Sequence, residues 1–102
     1  MTQSYLDLTR EITAGIQQLR ADIPDTLRGF SAMAQAAGKP GALDAKTKEL
    51  IAMALSVSVR CDPCIGFHAQ ALVKFGASRA ELAEMLGMAV YMGGGPSLMY
   101  AA

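Results

Sequence analysis

The sequence predicts an all-α chain of five to six helices, and three observations carry that prediction. Apolar residues recur at three- and four-residue intervals along most of the chain. Helix-starting and helix-stopping residues fall between those runs. No strand-like segments alternate with the helical ones.

From about Ser4 to Leu19, residues Tyr5, Leu8, Ile12, Ile16 and Leu19 share one helical face. Pro24 suits the first turn of a second helix, where its missing N–H would be unpaired anyway. Leu27, Phe30, Met33 and Ala34 give that helix an apolar side as far as about Ala37. Gly38, Lys39, Pro40 and Gly41 then make a loop. Asp44 is placed to cap a third helix from Ala45 to about Val59, with Leu50, Met53, Ala54 and Val57 as its stripe. The alternation of Ser56, Val57, Ser58 and Val59 has strand character, but the length of the run favours helix. Asp62 and Pro63 supply an N-cap and first-turn signal for a fourth helix, which runs to Phe75 and is closed by Gly76. Ser78 and Glu81 form a capping box, each side chain satisfying an orphan backbone donor, and open a fifth helix to about Met92. Gly93 to Pro96 end it.

A chain of 102 residues is one domain at most, residues 1–102. Its apolar fraction, 52%, exceeds what a thin single core absorbs. In the fifth helix only Glu81 and Glu84 are charged, so burial against a partner subunit is expected. Nine Lys and Arg balance nine Asp and Glu without a basic cluster, which argues against a nucleic-acid or anionic-membrane surface. Met1 to Arg10 lack the basic start and apolar stretch of a secretory signal, so cytosolic residence is expected. Met85 to Ala102 carry no charge, yet Gly93 to Ser97 interrupt them, making a poor membrane span.

The only cysteines are Cys61 and Cys64, and a Cys-x-x-Cys pair in a cytosolic chain points to redox or metal chemistry. Cys64 falls in the first turn of the fourth helix, where unpaired N–H groups favour a thiolate. His68, the only histidine, lies four residues on and shares its face with Cys64; Leu72 and Phe75 extend that face, so His68 is expected to point inward. It can accept the thiol proton, and Glu49 is the candidate for orienting it. Glu49 alone could equally be a solvated acid complementing the helix dipole. Zinc wants four ligands, and beyond Cys61, Cys64 and His68 only a carboxylate is on offer, so a metal site is not expected. A thioredoxin-like reading fails for want of strands.

Glu49 twelve residues before Cys61, then Cys61-x-x-Cys64-Ile65-x-x-His68, then Gly76-Ala77-Ser78-x-x-Glu81-Leu82, together resemble the core of the alkylhydroperoxidase AhpD-like, carboxymuconolactone decarboxylase superfamily. The resemblance covers about residues 44–96. It implies an all-α AhpD-like subunit assembling into homotrimers or homohexamers, and an antioxidant peroxidase that reduces organic hydroperoxides. Cys64 would attack the peroxide and become a sulfenic acid, and Cys61 would condense with it. His68 and Glu49 would relay the proton. No bound cofactor or metal is implied, only an external dithiol reductant such as a lipoyl group on a partner protein. The best-known peroxidases of the family carry a further histidine where this chain has Pro63. The decarboxylase branch generally lacks the cysteine pair, so activity on a muconolactone is not expected. Two rivals stand beside the peroxidase: a thiol-disulfide oxidoreductase using the same residues, and a metal-binding or purely structural oligomer. Met85, Met88, Met92 and Phe67 could line a pocket for an alkyl tail, but a methionine stripe at helical spacing reads first as core.

Overall fold

The computed structural model describes residues 3–102 and consists of six helices: α1 (Tyr5–Asp22), α2 (Pro24–Gly38), α3 (Ala45–Ser58), α4 (Asp62–Lys74), α5 (Arg79–Gly93) and α6 (Gly95–Ala101). Most starts are written in the local sequence. The Ser4 hydroxyl accepts the Asp7 N–H at 3.0 Å, and an Asp44 carboxylate oxygen accepts the Thr47 N–H at 2.7 Å. Ser78 and Glu81 make both bonds of the capping box.

α1 runs on to Asp22, past its expected end at about Leu19, and two further boundaries differ from the sequence reading. The cap of α4 is Cys61, not Asp62, which already lies in the first turn. After Gly93 the chain does not simply end its helical course. Pro96 takes a first-turn position in a sixth helix, where a proline loses no hydrogen bond, and Ser97 is buried beneath it.

α3 is central, meeting α4, α5, α6 and α2. The buried apolar side chains are Met53 and Val57 of α3, Leu72 of α4 and Ala89 of α5; Leu50, Ala54, Ile65, Leu82, Met85 and Leu86 pack around them. Each large apolar group fully buried in this way contributes about 1.5–3 kcal/mol. The core is correspondingly small, and α5 is not buried all round. Met88, Tyr91 and Met92 stand 60%, 78% and 75% exposed on the single chain. The methionine stripe is therefore divided: Met85 joins the core, while Met88 and Met92 lie outside it.

α1 lies across α4 and α2. It approaches α4 closely at Gly66, where a Cβ would stand 2.6 Å from the Thr9 Cγ2 methyl and 3.4 Å from the Tyr5 carbonyl oxygen. Thr9 cannot readily yield. It is buried, β-branched, donates its hydroxyl to the Leu6 carbonyl at 2.9 Å and accepts from Gln70 at 3.2 Å. Gly66→Ala is expected to destabilise the chain by about 1–3 kcal/mol through overpacking. Thermal unfolding followed by circular dichroism checks this; an unchanged midpoint would show that α1 does not hold α4 in place.

The starts of α3 and α5 are tied by Lys46 and Glu81, 2.7 Å apart. The hydrogen bond from Lys46 leads the causes that hold the Glu81 carboxyl below its ordinary range, and the Ser78 N–H adds to it. The same bond from Glu81's side pushes the Lys46 ammonium up. Thr47 holds Asp44 down through its side chain and then its backbone N–H. A lowered carboxyl stabilises the fold above its unfolded value and loses that contribution as pH falls through its folded value. Glu81→Gln is therefore expected to destabilise the chain near neutrality and to flatten the acid limb of stability below about pH 4. Urea midpoints across pH 2–7 measure both effects.

Candidate functional site

The corner between α3 and α4 is built by one helix termination and one helix start that share Cys61. The Cys61 N–H donates to the Ser56 carbonyl at 3.0 Å and the Arg60 N–H to the Val57 carbonyl at 3.2 Å, the paired bonds of a Schellman ending. Such an ending needs one residue in the left-handed region, and here it is Arg60 at φ 59°. The end of α4 repeats the device. Ala77 N–H donates to the Leu72 carbonyl, Gly76 N–H to the Val73 carbonyl, and Gly76 occupies the left-handed position at φ 69°. Glycine fills that position without a Cβ penalty, whereas Arg60 carries a cost of about 1–2 kcal/mol.

Cys61 then begins α4. Its sulfur accepts the Cys64 N–H at 3.3 Å, and the two cysteines are joined as a disulfide, with Cα atoms 5.2 Å apart. That span lies well within the reach of a disulfide. Pro63 occupies the first turn between them, where its fixed φ suits the helix. Both cysteines are half-buried, so their sulfurs lie at the surface end of the helix rather than in the core.

His68 lies one turn beyond Cys64 on the same face. Its Nδ1 meets Glu49 Oε2 at 2.6 Å, a bond that crosses from α4 to α3. With Nδ1–H donating to the carboxylate, the lone pair rests on Nε2, leaving that nitrogen free to take a proton. The inward direction expected for His68 holds only in part, because the His68 and Glu49 side chains are 33% and 25% exposed. The structure thus brings His68 and Glu49 together and sets Cys61 and Cys64 at the head of the same helix. Among the described residues, no group of three or more His, Cys, Asp or Glu side chains is gathered closely enough to hold a metal ion.

Sequence reasoning passed over the groove of about 430 Å³ that His68 and Glu49 help to wall. Its other walls come from Ala34 and Ala37 of α2, Leu43 of the following loop, and Lys48, Ile51, Ala52 and Leu55 of α3. The Lys48 ammonium donates to the Ala37 and Lys39 carbonyls at 2.8 and 2.6 Å, fastening the end of α2 to α3. The signal was available: positions 48, 51, 52 and 55 form a second stripe on α3 at helical spacing, beside the stripe that enters the core. Phe67, by contrast, lines a separate groove between α1 and α4 with Leu6, Thr13 and Gln70.

The sequence profile of the carboxymuconolactone decarboxylase family matches residues 24–102, from α2 to the end of α6. An uncharacterized protein of Cupriavidus necator is 43% identical over 101 residues, spanning 99% of this chain and 89% of that one. The crystal structure of a carboxymuconolactone decarboxylase family protein from Legionella pneumophila, in its apo form, superposes with a TM-score of 0.93 at 61% identity, covering 95% of this chain and 87% of that one. A family member from Thermotoga maritima, suggested to take part in an antioxidative response, superposes with a TM-score of 0.69 at 37% identity, covering 74% and 77%. Helical architecture, profile and identity agree: the chain belongs to the carboxymuconolactone decarboxylase family, within the AhpD-like superfamily.

Proposed function

We propose that this chain is an antioxidant peroxidase that reduces organic hydroperoxides through the Cys61–Cys64 pair. The observation that carries the reading is the disulfide at the start of α4, one turn from a histidine already paired with a carboxylate. In the reduced protein, His68 Nε2 takes the Cys64 thiol proton, and the helix N-terminus favours the resulting thiolate. The thiolate attacks the terminal oxygen of ROOH and the O–O bond breaks. Cys64 becomes a sulfenic acid, and the departing alkoxide takes the proton back from His68 as ROH. The Cys61 sulfur then attacks Cys64, a disulfide forms and water leaves. Two electrons from an external dithiol, by thiol-disulfide exchange, return the pair to its reduced form. A lipoyl-type group is the donor expected. No bound cofactor enters the cycle.

In this reading the chain works in the cytosol as a homotrimer or homohexamer, with further copies covering exposed apolar residues such as Tyr91, Met92 and Met99. No helix among the described residues is long and apolar enough to cross a membrane.

Anaerobic thiol titration before and after one equivalent of cumene hydroperoxide tests the reading without knowledge of the donor. Loss of two thiols per chain within seconds is expected. Two thiols persisting for hours would overturn it.

Pro63 favours a second reading, thiol-disulfide exchange with little peroxidase activity, since it stands where peroxidases of the family carry a histidine. Competition between cumene hydroperoxide and a small-molecule disulfide for the reduced protein separates the two.

A further inference from the structure

We infer that the groove beside His68 seats the apolar tail of the hydroperoxide, and that Ala34, Leu43 and Leu55 set which tails are accepted; the inference rests on the peroxidase reading. Three observations carry it. First, the groove is continuous with the site, because the His68–Glu49 pair is part of its wall. Second, its remaining surface is almost wholly apolar: Ala34, Leu43, Ile51 and Leu55 face it from α2, the loop and α3.

Third, its polar side chains are already engaged. Lys48 spends its ammonium on the Ala37 and Lys39 carbonyls, and Glu49 is committed to His68. A sugar, a peptide or a carboxylate would find few partners there and would leave its own polar groups unpaired. An alkyl or aryl tail needs none. At about 430 Å³ the groove falls in the range of about 300–1,000 Å³ usual for small-molecule sites. A tail seated against Leu43 and Leu55 leaves its hydroperoxide group at the His68 end, one helical turn from Cys64 on the same face. Hydrogen peroxide has no tail and gains nothing from this groove. Each methylene buried there is worth roughly fourfold in affinity.

The test compares cumene hydroperoxide with hydrogen peroxide in the first oxidation of the reduced protein by stopped flow, for the wild type and for Ala34→Phe, which fills the groove from α2. Leu55→Ala, at a residue 60% exposed, serves as the variant least able to disturb folding. The wild type is expected to prefer cumene hydroperoxide by at least about tenfold, as burial of two or more carbons implies. Ala34→Phe should bring that ratio toward one, and Leu55→Ala should lower it. A ratio that neither variant moves would overturn the inference. A second measurement needs no turnover: cumyl alcohol, the product, is titrated into methyl-labelled protein. Shifts confined to Leu43, Ile51 and Leu55 support the groove, and shifts elsewhere overturn it. If neither peroxide oxidises the thiols, the peroxidase reading falls by itself, and these spectra still decide whether the groove takes an apolar ligand.

Discussion

Cys64→Ser is expected to consume no hydroperoxide, while Cys61→Ser consumes one equivalent and stops. The asymmetry follows from position. Cys64 is the third residue of α4, inside the first turn where the helix dipole favours negative charge, and His68 follows it by one turn. A serine hydroxyl there is a far weaker nucleophile and cannot form the sulfenic acid. Cys61 lies outside the helix and caps it, so its loss removes the partner that resolves the oxidised sulfur but not the group that reacts first. Serine is itself a good cap, and α4 should stay intact. Mass spectrometry after dimedone trapping reads the outcome: an adduct on Cys64 of Cys61→Ser and none in Cys64→Ser. An adduct on Cys61 of Cys64→Ser would reverse the two roles.

His68→Gln is expected to slow the first oxidation by about a hundredfold to ten-thousandfold, the usual cost of losing a general base. Glu49→Gln should slow it less, because the amide oxygen still accepts the Nδ1–H and keeps the ring oriented. The pair is part-buried between α3 and α4, so the unfolding midpoint of each variant is measured alongside the rate, and slow kinetics with an unchanged midpoint identify a chemical role. Stopped-flow measurement at several peroxide concentrations gives the rate. An unchanged first step in His68→Gln would remove this residue from the mechanism.

The fold was legible where local chemistry decides it. Ser4, Asp44 and the Ser78–Glu81 box state their helix starts, and Pro24 and Gly76 mark a start and a stop. What the sequence hid were choices made by tertiary geometry. Asp62 is the better intrinsic cap, yet the Schellman ending of α3 fixes Cys61 one residue earlier and leaves Asp62 inside the turn. The left-handed Arg60 could not be foreseen, since glycine is the residue that advertises such a position. Glu49 and His68 were legible as partners because each lies at helical spacing from residues that pack between α3 and α4. The second α3 stripe through Ile51 and Leu55 was legible beside the core stripe, but its opening onto α2 was not, because no periodicity reveals how α2 docks.

The double use of Cys61 restricts where this chain can change its length. Cys61 both completes the ending of α3 and caps α4, and only Val59 and Arg60 separate it from the last helical residue of α3. A single insertion between Val57 and Cys64 would have to be absorbed by a helix, turning everything beyond it by about 100° and carrying His68 away from Glu49. A deletion would do the same in the opposite sense. The stretch from Gly41 to Leu43 belongs to no helix and can lengthen without disturbing either neighbour. Length differences among relatives of this chain should therefore collect in that loop, while the count of residues from Glu49 to His68 behaves as a fixed gauge.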